Sequence, residues 1–237
     1  MHNRALGVAT AFVTVWLSNA LAVEAAQFQE NMRPSITLIV CDKAGLESGT
    51  LLDAMIHSKQ VFADAGIDLV WVTTPGDRRP TKFSPTSMEG CTLPSVDGDV
   101  LAVVTNDQPE GWLSEGLGFS TPGTSPLQRL YIFYERVRRM GSGSRDSVVG
   151  MVLGHVIVHE LGHLLLKETA HTPTGIMSTR WGYRNILEAA QGVLRFDPDE
   201  AQRIRARLQH RLPQNVLRRA EASVLRSASL TPTETHK

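Results

Sequence analysis

The stretch His159-Glu160-Leu161-Gly162-His163 decides how this chain is interpreted, because its spacing places two imidazoles on one face of a helix. Residues four apart in a helix lie one above the other. His159 and His163 can therefore both direct a ring nitrogen at one zinc ion about 2.0–2.1 Å away. Glu160 would lie beside that ion, where a carboxylate can activate a water molecule. The motif predicts half of a catalytic zinc site.

The residues before the motif predict a long buried helix. We expect it to begin near Ser144 as the N-cap and to run to Leu166, with apolar side chains on most sides. Gly150, Gly154 and Gly162 weaken such a helix but allow neighbouring backbone to approach closely.

A third ligand is needed, since a catalytic zinc has three protein ligands and an open position. His171 is the leading candidate, because it follows His163 by eight residues in a Thr/Pro/Gly segment that cannot continue the helix. The chain must turn within residues 167–170 to bring it back. His155, one turn before the motif, is expected to be buried and hydrogen-bonded to a strand or loop, because three histidines spaced by four cannot all reach one ion.

These residues resemble the metzincin clan of zinc endopeptidases, whose signature HExxHxxGxxH is followed by a tight turn that carries a methionine. His159, Glu160 and His163 match the signature directly, and Gly175-Ile176-Met177 looks like the turn. The resemblance implies that Met177 lies beneath the metal. It also implies a zinc metalloendopeptidase that hydrolyses peptide bonds with a zinc-activated water, with Glu160 as the general base.

The resemblance covers most of residues 35–210 and departs from the clan in two places. Leu166 stands where the clan has a turning glycine, and His171 comes two residues later than the clan's third histidine. Leucine does not readily leave a helix with positive φ. We therefore expect the helix to continue about half a turn further, with the two added residues making the return.

Three more residues are weighed against this resemblance. Tyr183, six after Met177, is a candidate to support a developing oxyanion, as tyrosines beyond the turn do in some relatives; packing or surface exposure is the alternative. Trp181 is expected to pack beneath the site. Glu188 would be the third ligand in a gluzincin-type scheme, in which a second helix supplies a glutamate, but the methionine turn after His171 argues against that scheme.

Hydrophobic patterns predict an α+β fold with a twisted, mixed, mostly parallel sheet, the long active-site helix and a small C-terminal subdomain. A strand, a helix ended by Gly66 and a second strand suggest a parallel crossover. Residues 117–120 are a candidate edge strand for an extended peptide. The sequence Asp197-Pro198-Asp199-Glu200 is a capping box that starts another helix. The predicted strands are residues 35–40, 67–72, 100–105 and 130–134, and the first helix is residues 50–65.

The N-terminus is typical of an export signal. Residues 1–22 combine Arg4 with an apolar run and a small-x-small cleavage site at Ala22; a cut after Ala25 and an uncleaved anchor are the alternatives. Residues 23–213 then form the metallopeptidase-like domain, and residues 214–237 a partly disordered tail. We expect a secreted or periplasmic protein that has no stable membrane insertion after cleavage.

Cysteine count and charge agree with export. Cys41 and Cys91 are the two cysteines and are expected to form a disulfide, with two unpaired buried thiols as the alternative. The chain carries 24 basic and 24 acidic residues, so nucleic acid is not an expected partner. The expected partner is a peptide or protein substrate, and the expected state is a monomer. A catalytically silent zinc-binding secreted module is the alternative function.

Overall fold

The computed structural model describes residues 33–76, 91, 100–106, 116–121, 128–141, 146–179 and 181–210. The predicted signal peptide, the C-terminal tail, the helix cap at Ser144 and most of the segment between β2 and β3 lie outside these residues. In chain order the elements are β1 (Ser35–Asp42), α1 (Ser48–Asp64), β2 (Asp68–Pro75), β3 (Val100–Thr105), β4 (Gly118–Thr121), β5 (Gln128–Phe133), α2 (Tyr134–Gly141), α3 (Asp146–Leu166), α4 (Tyr183–Ala190) and α5 (residues 198–210).

The sheet has five strands in the order β2-β1-β3-β5-β4. All neighbouring strands are parallel except β4, which runs antiparallel to β5 and lies at the edge. Every residue of the central strand β3 is buried, as expected for a parallel strand covered on both faces. The predicted mixed, mostly parallel sheet is confirmed, and β4 is the short edge strand expected near residues 117–120.

Helices α1 and α3 pack against the sheet and against each other. Their contact depends on small residues: a Cβ added at Gly154 would lie 2.6 Å from the carbonyl oxygen of Ala54, and one at Gly150 would lie 2.6 Å from Cβ of Asp53. The hydroxyl of Ser58 donates to the Gly154 carbonyl at 3.0 Å. The expected close approach of neighbouring backbone is therefore confirmed at Gly150 and Gly154, whereas Gly162 faces side chains.

The core helix α3 is unusually apolar. Residues 148–166 are long and apolar enough to cross a membrane by length and composition, but 89% of this segment is buried within the fold. That burial is what a central helix of a folded domain shows, because it is surrounded by protein on most sides.

Two short helices were not predicted. Both α2 and α4 have eight residues, which is only about two turns, and α2 is rich in arginine. Tyr134 was expected to end the last strand but begins α2 instead. The capping box of α5 is confirmed: Asp197 N donates to Glu200 Oε2 at 2.9 Å, and Glu200 N donates to Asp197 Oδ1 at 2.8 Å.

The predicted disulfide is present and ties the segment that follows β2 to the end of β1. Cys41 and Cys91 are bonded with their Cα atoms 5.9 Å apart, and Cys91 also forms an antiparallel bridge with Gly76. The bond closes a loop with a sequence separation of 50 residues. A disulfide of this kind persists in oxidising compartments.

We predict that the double variant Cys41→Ala/Cys91→Ala loses about 4 kcal/mol of unfolding free energy, because the long loop gains entropy in the unfolded chain. Urea unfolding followed by circular dichroism would measure the difference. An unchanged denaturation midpoint would contradict the predicted contribution of this cross-link.

We predict that Gly154→Ala lowers the unfolding free energy by about 1–3 kcal/mol, because the added methyl collides with the α1 backbone. Gly49→Ala is the matched control, since a Cβ at Gly49 meets nothing within 4 Å. The control should be neutral or slightly stabilising, by up to about 1 kcal/mol. Equal thermal unfolding midpoints for the two variants would show that the α1–α3 contact is looser than described.

Candidate metal centre

Three imidazoles meet beside the end of α3. Residues His159 and His163 project from consecutive turns of this helix, and His171 comes from the segment beyond it. One ligand nitrogen of each lies within 4.8 Å of the other two. The ring of His171 is 5.3 Å from that of His159 and 4.8 Å from that of His163, centroid to centroid. The structure thus brings together the three histidines singled out by the sequence.

Backbone carbonyls fix the tautomers of the two helical histidines. Nδ1 of His159 is 2.7 Å from the Ile176 oxygen, and Nδ1 of His163 is 2.8 Å from the Glu168 oxygen. A carbonyl can only accept, so each Nδ1 carries the proton and donates it. Burial lowers the pKa of His159 to about 4, an effect that the Ile176 carbonyl partly offsets. Both Nε2 atoms therefore present lone pairs.

The distance between the two Nε2 atoms tests whether the site suits a metal ion. The Nε2 atoms of His159 and His163 are 3.2 Å apart. Because both protons are on Nδ1, no proton lies between the two nitrogens, and a cation bound by both would stabilise their close approach. Two imidazole nitrogens on one tetrahedral zinc ion at about 2.0–2.1 Å lie roughly 3.3 Å apart. The three-histidine group is consistent with zinc binding.

The helix ends sooner than expected. Leu166 is the last residue of α3, and Lys167 makes the turn with φ of 55°, in the left-handed region. The expected continuation by about half a turn is not seen, because a single lysine adopts the conformation that glycine usually provides. The four residues from Lys167 to Ala170 return the chain to His171, in the interval expected.

The segment after His171 forms a tight turn beneath the helix. Thr172 N donates to the Met177 oxygen at 3.0 Å, and Gly175 has φ of 78°. The side chain of Met177 is 1% exposed, and its sulfur would lie 2.5 Å from a Cβ placed on Gly162. Gly162 lies next to His163 in α3, so Met177 packs directly under the part of the helix that carries the histidines.

Glu160 is buried between α3 and the edge strand. It is 6% exposed, and its Cγ would lie 3.0 Å from a Cβ on Gly118 of β4. Burial raises the pKa of its carboxyl to about 8, and a hydrogen bond with Ser120 partly offsets this. A cation among the neighbouring imidazoles favours the carboxylate form.

A cavity of about 650 Å³ opens onto these groups. It is bounded by β4 on one side and by the exit from α3 on the other. Its size falls within the range of about 300–1,000 Å³ typical of ligand sites. The lining includes the three histidines, Glu160, residues 116–120, Met140, residues 167–169 and Trp181.

The remaining candidate residues lie in different places. Tyr183 is 81% exposed and is not among the cavity-lining residues, so the structure does not bring it to the site. Glu188 lies outside the histidine group and accepts from Arg184 Nε at 2.8 Å. Trp181 places its ring 5.9 Å from the ring of His159, edge to face, and also lines the cavity.

His155 is buried as expected, but its partner is different. It is 2% exposed, and its Nδ1 is 2.9 Å from the Met151 oxygen in the same helix, rather than bonded to a strand or loop. Burial lowers the pKa of His155 to about 4, with the nearby His57 adding to the effect and the Met151 carbonyl opposing it. Its ring contacts those of His57 and Trp181 at 5.7 and 6.3 Å.

The groups that orient the ligands could not be found from sequence. Ile176 and Glu168 act through backbone carbonyls, which every residue possesses. Only their position in the two turns gives them this role. Of the two turns, the one around Gly175 carries a sequence signal, because glycine readily adopts positive φ.

Two solved structures resemble the fold of this chain. The chain is similar to the crystal structure of archaemetzincin from Methanopyrus kandleri, with 13% identity and a TM-score of 0.50 over 74% of this chain and 96% of that one. Metalloproteinase-II from Bacteroides fragilis is also similar, with 10% identity and a TM-score of 0.43 over 75% of this chain and 54% of that one. No protein-family model and no curated protein matches. The first likeness shows that this chain shares the fold of that archaemetzincin.

We predict one zinc ion per chain. Loss of an outer-sphere partner typically weakens zinc binding roughly 10–100-fold, and His171→Ala, which removes a ligand, should weaken it by at least that much. Glu188→Ala is the control and should bind zinc as the wild type does. Competition with a chromophoric chelator would measure both. Full zinc affinity in His171→Ala together with loss in Glu188→Ala would assign the third ligand to α4.

Proposed function

We propose that this chain is a secreted zinc-dependent endopeptidase with Glu160 as its general base. The observation that carries the proposal is the buried carboxylate of Glu160, next in sequence to His159, on the wall of the cavity that the three imidazoles share. A structural zinc site closes its coordination with a fourth protein ligand, whereas among the described residues this group has three histidines, which line a cavity.

The three histidines would hold the ion through Nε2 of His159 and His163 and one ring nitrogen of His171. Zinc in such a site supplies Lewis acidity, which polarises a carbonyl and lowers the pKa of water. The carbonyls of Ile176 and Glu168 keep the two helical rings oriented. Met177 would act as the buried residue under the site, as the resemblance to metzincins implies.

Glu160 would handle the protons of hydrolysis. Its carboxylate accepts a proton from the attacking water as the carbon–oxygen bond forms. It then returns the proton to the amide nitrogen as the carbon–nitrogen bond breaks. The apolar surroundings that raise its pKa also make it a good donor in this second step.

Strand β4 would bind the substrate. It pairs with β5 along one side, and its residues 118–120 line the cavity. An extended peptide could add to its other side through backbone hydrogen bonds, which gives affinity without demanding one sequence. This geometry favours cleavage within a chain over removal of a terminal residue.

Export completes the proposal. Residues 1–22 would be removed as a signal peptide, and residues 23–213 would form the active domain. The Cys41–Cys91 disulfide supports an oxidising destination outside the cytoplasm. The active form would be a monomer.

We predict that Glu160→Gln binds zinc about as tightly as the wild type but loses peptide hydrolysis by a factor on the order of 10² or more. The amide keeps the shape of the side chain and removes the proton acceptor. The mature chain, loaded with zinc, would be incubated with a diverse peptide mixture, and new termini would be identified by mass spectrometry.

Two outcomes would contradict this function. A folded, zinc-loaded wild-type chain that cleaves nothing in the mixture would favour a silent zinc-binding module. Equal cleavage by the wild type and Glu160→Gln would assign the activity to different residues or to a contaminant.

A further inference from the structure

Helix α5 contacts the end of α3 through arginines. Arg207 Nη1 donates to the Leu165 oxygen at 2.7 Å, which satisfies a carbonyl in the last turn of α3. Arg203 lies one turn earlier in α5, on the same side, and its Nη1 donates to Glu168 Oε1 at 2.6 Å. The two guanidinium groups therefore contact the end of α3 and the first residues beyond it.

The residue held by Arg203 is the one that orients a ligand. The backbone oxygen of Glu168 accepts the Nδ1 proton of His163 at 2.8 Å. Glu168 thus contacts the Arg203 guanidinium with its side chain and the His163 imidazole with its backbone carbonyl. The connection runs Arg203 to Glu168 to His163, across 35 residues of sequence between the first two.

This connection lies just beyond a residue with a disfavoured backbone conformation. Lys167, between the helix end and Glu168, has φ of 55°, which residues other than glycine seldom adopt. Nothing in the local sequence favours that conformation, and Glu168 is exposed at the surface. The contact from Arg203 on α5 therefore adds a constraint on the residue whose carbonyl faces His163.

We propose that Arg203 is a positioning residue of the metal centre: through the Glu168 side chain it fixes the carbonyl that orients His163. The inference rests on the proposed zinc-dependent function and adds a residue on a different helix to it. Outer-sphere hydrogen bonds set ring orientation and ligand basicity in metal sites, so loss of the contact should weaken zinc binding.

The guanidinium is well placed for this role. Its Nε is 2.9 Å from Asp199 Oδ2, so the side chain is held from two directions. Ile204 and Leu208, both buried, fix α5 in the core. A planar fork can bind two carboxylates at once, whereas the ammonium of lysine is a point charge on a flexible stem.

The solvent exposure of the Arg203–Glu168 ion pair distinguishes a positioning role from a contribution to stability. The side chains of Arg203 and Glu168 are 42% and 45% exposed, and exposed ion pairs contribute little to unfolding free energy. An ion pair that acted only on stability would leave zinc affinity unchanged. A positioning residue should change zinc affinity and leave unfolding of the metal-free protein nearly unchanged.

The experiment measures the zinc dissociation constant of the mature chain by chelator competition for the wild type, Arg203→Gln, Glu168→Ala and the double variant. We expect each single variant to bind on the order of 10-fold more weakly. The double variant should be no weaker than the singles, because the residues act through one connection. Arg203→Lys should fall between the wild type and Arg203→Gln.

The control is Arg138→Gln, which removes an ion pair with Glu135 of similar length, 2.9 Å, and similar exposure, 54% and 41%. It should bind zinc as the wild type does. A second readout is the Nδ1 proton of His163 in zinc-loaded protein labelled with ¹⁵N-histidine. Its exchange with solvent should be faster in Arg203→Gln than in the wild type or the control.

Wild-type affinity and unchanged proton exchange in Arg203→Gln would overturn the inference and leave the proposed function intact. Additive losses in the double variant would also overturn it, because two independent contributions would then be present. Failure of the wild type itself to bind zinc would instead overturn the proposed function.

Discussion

The structure depends on burying α3 on nearly every side while keeping one strip of it open to a cavity. Glycines bring this helix against α1, and Met177 fills the space beside Gly162. Imidazole and carboxylate groups buried in such a place are costly unless they are paired. Each helical histidine donates a hydrogen bond to a backbone carbonyl, and Glu160 has a hydrogen bond with Ser120. The two turns that follow α3 therefore supply the carbonyl groups that the helical histidines need as hydrogen-bond acceptors.

Much of this arrangement could be predicted because its signals are local. The histidine spacing needs only a helix, the strands are short β-branched runs, and the capping box before α5 is four residues long. The predicted disulfide needed only an even cysteine count and an expected export signal. Residues 183–190 and the other eight-residue helix were missed because each has only about two turns, and helices that short depend on tertiary contacts.

The rest could not be predicted because it depends on long-range contacts or on backbone atoms. Without a glycine at position 166, α3 was expected to continue about half a turn further, yet it ends at Leu166 and Lys167 adopts positive φ itself. The acceptors for His159 and His163 are carbonyls, which leave no mark on the sequence. His155 satisfies its ring within its own helix, a possibility that burial alone does not distinguish. Arginines in α5 resemble an ordinary solvated helix face until the partners they reach are known.

The edge strand β4 has a consequence for the protein's own solubility. A strand that offers backbone groups to an extended chain offers them to any unfolded chain, including another copy of this one. Within the described residues β4 has four residues and presents few such groups. The Tyr131 backbone oxygen and the Glu160 side chain leave no room for a larger apolar side chain at Gly118. Short length at this edge thus limits self-association. Lengthening β4 would add unpaired backbone groups and bring the protein closer to aggregation.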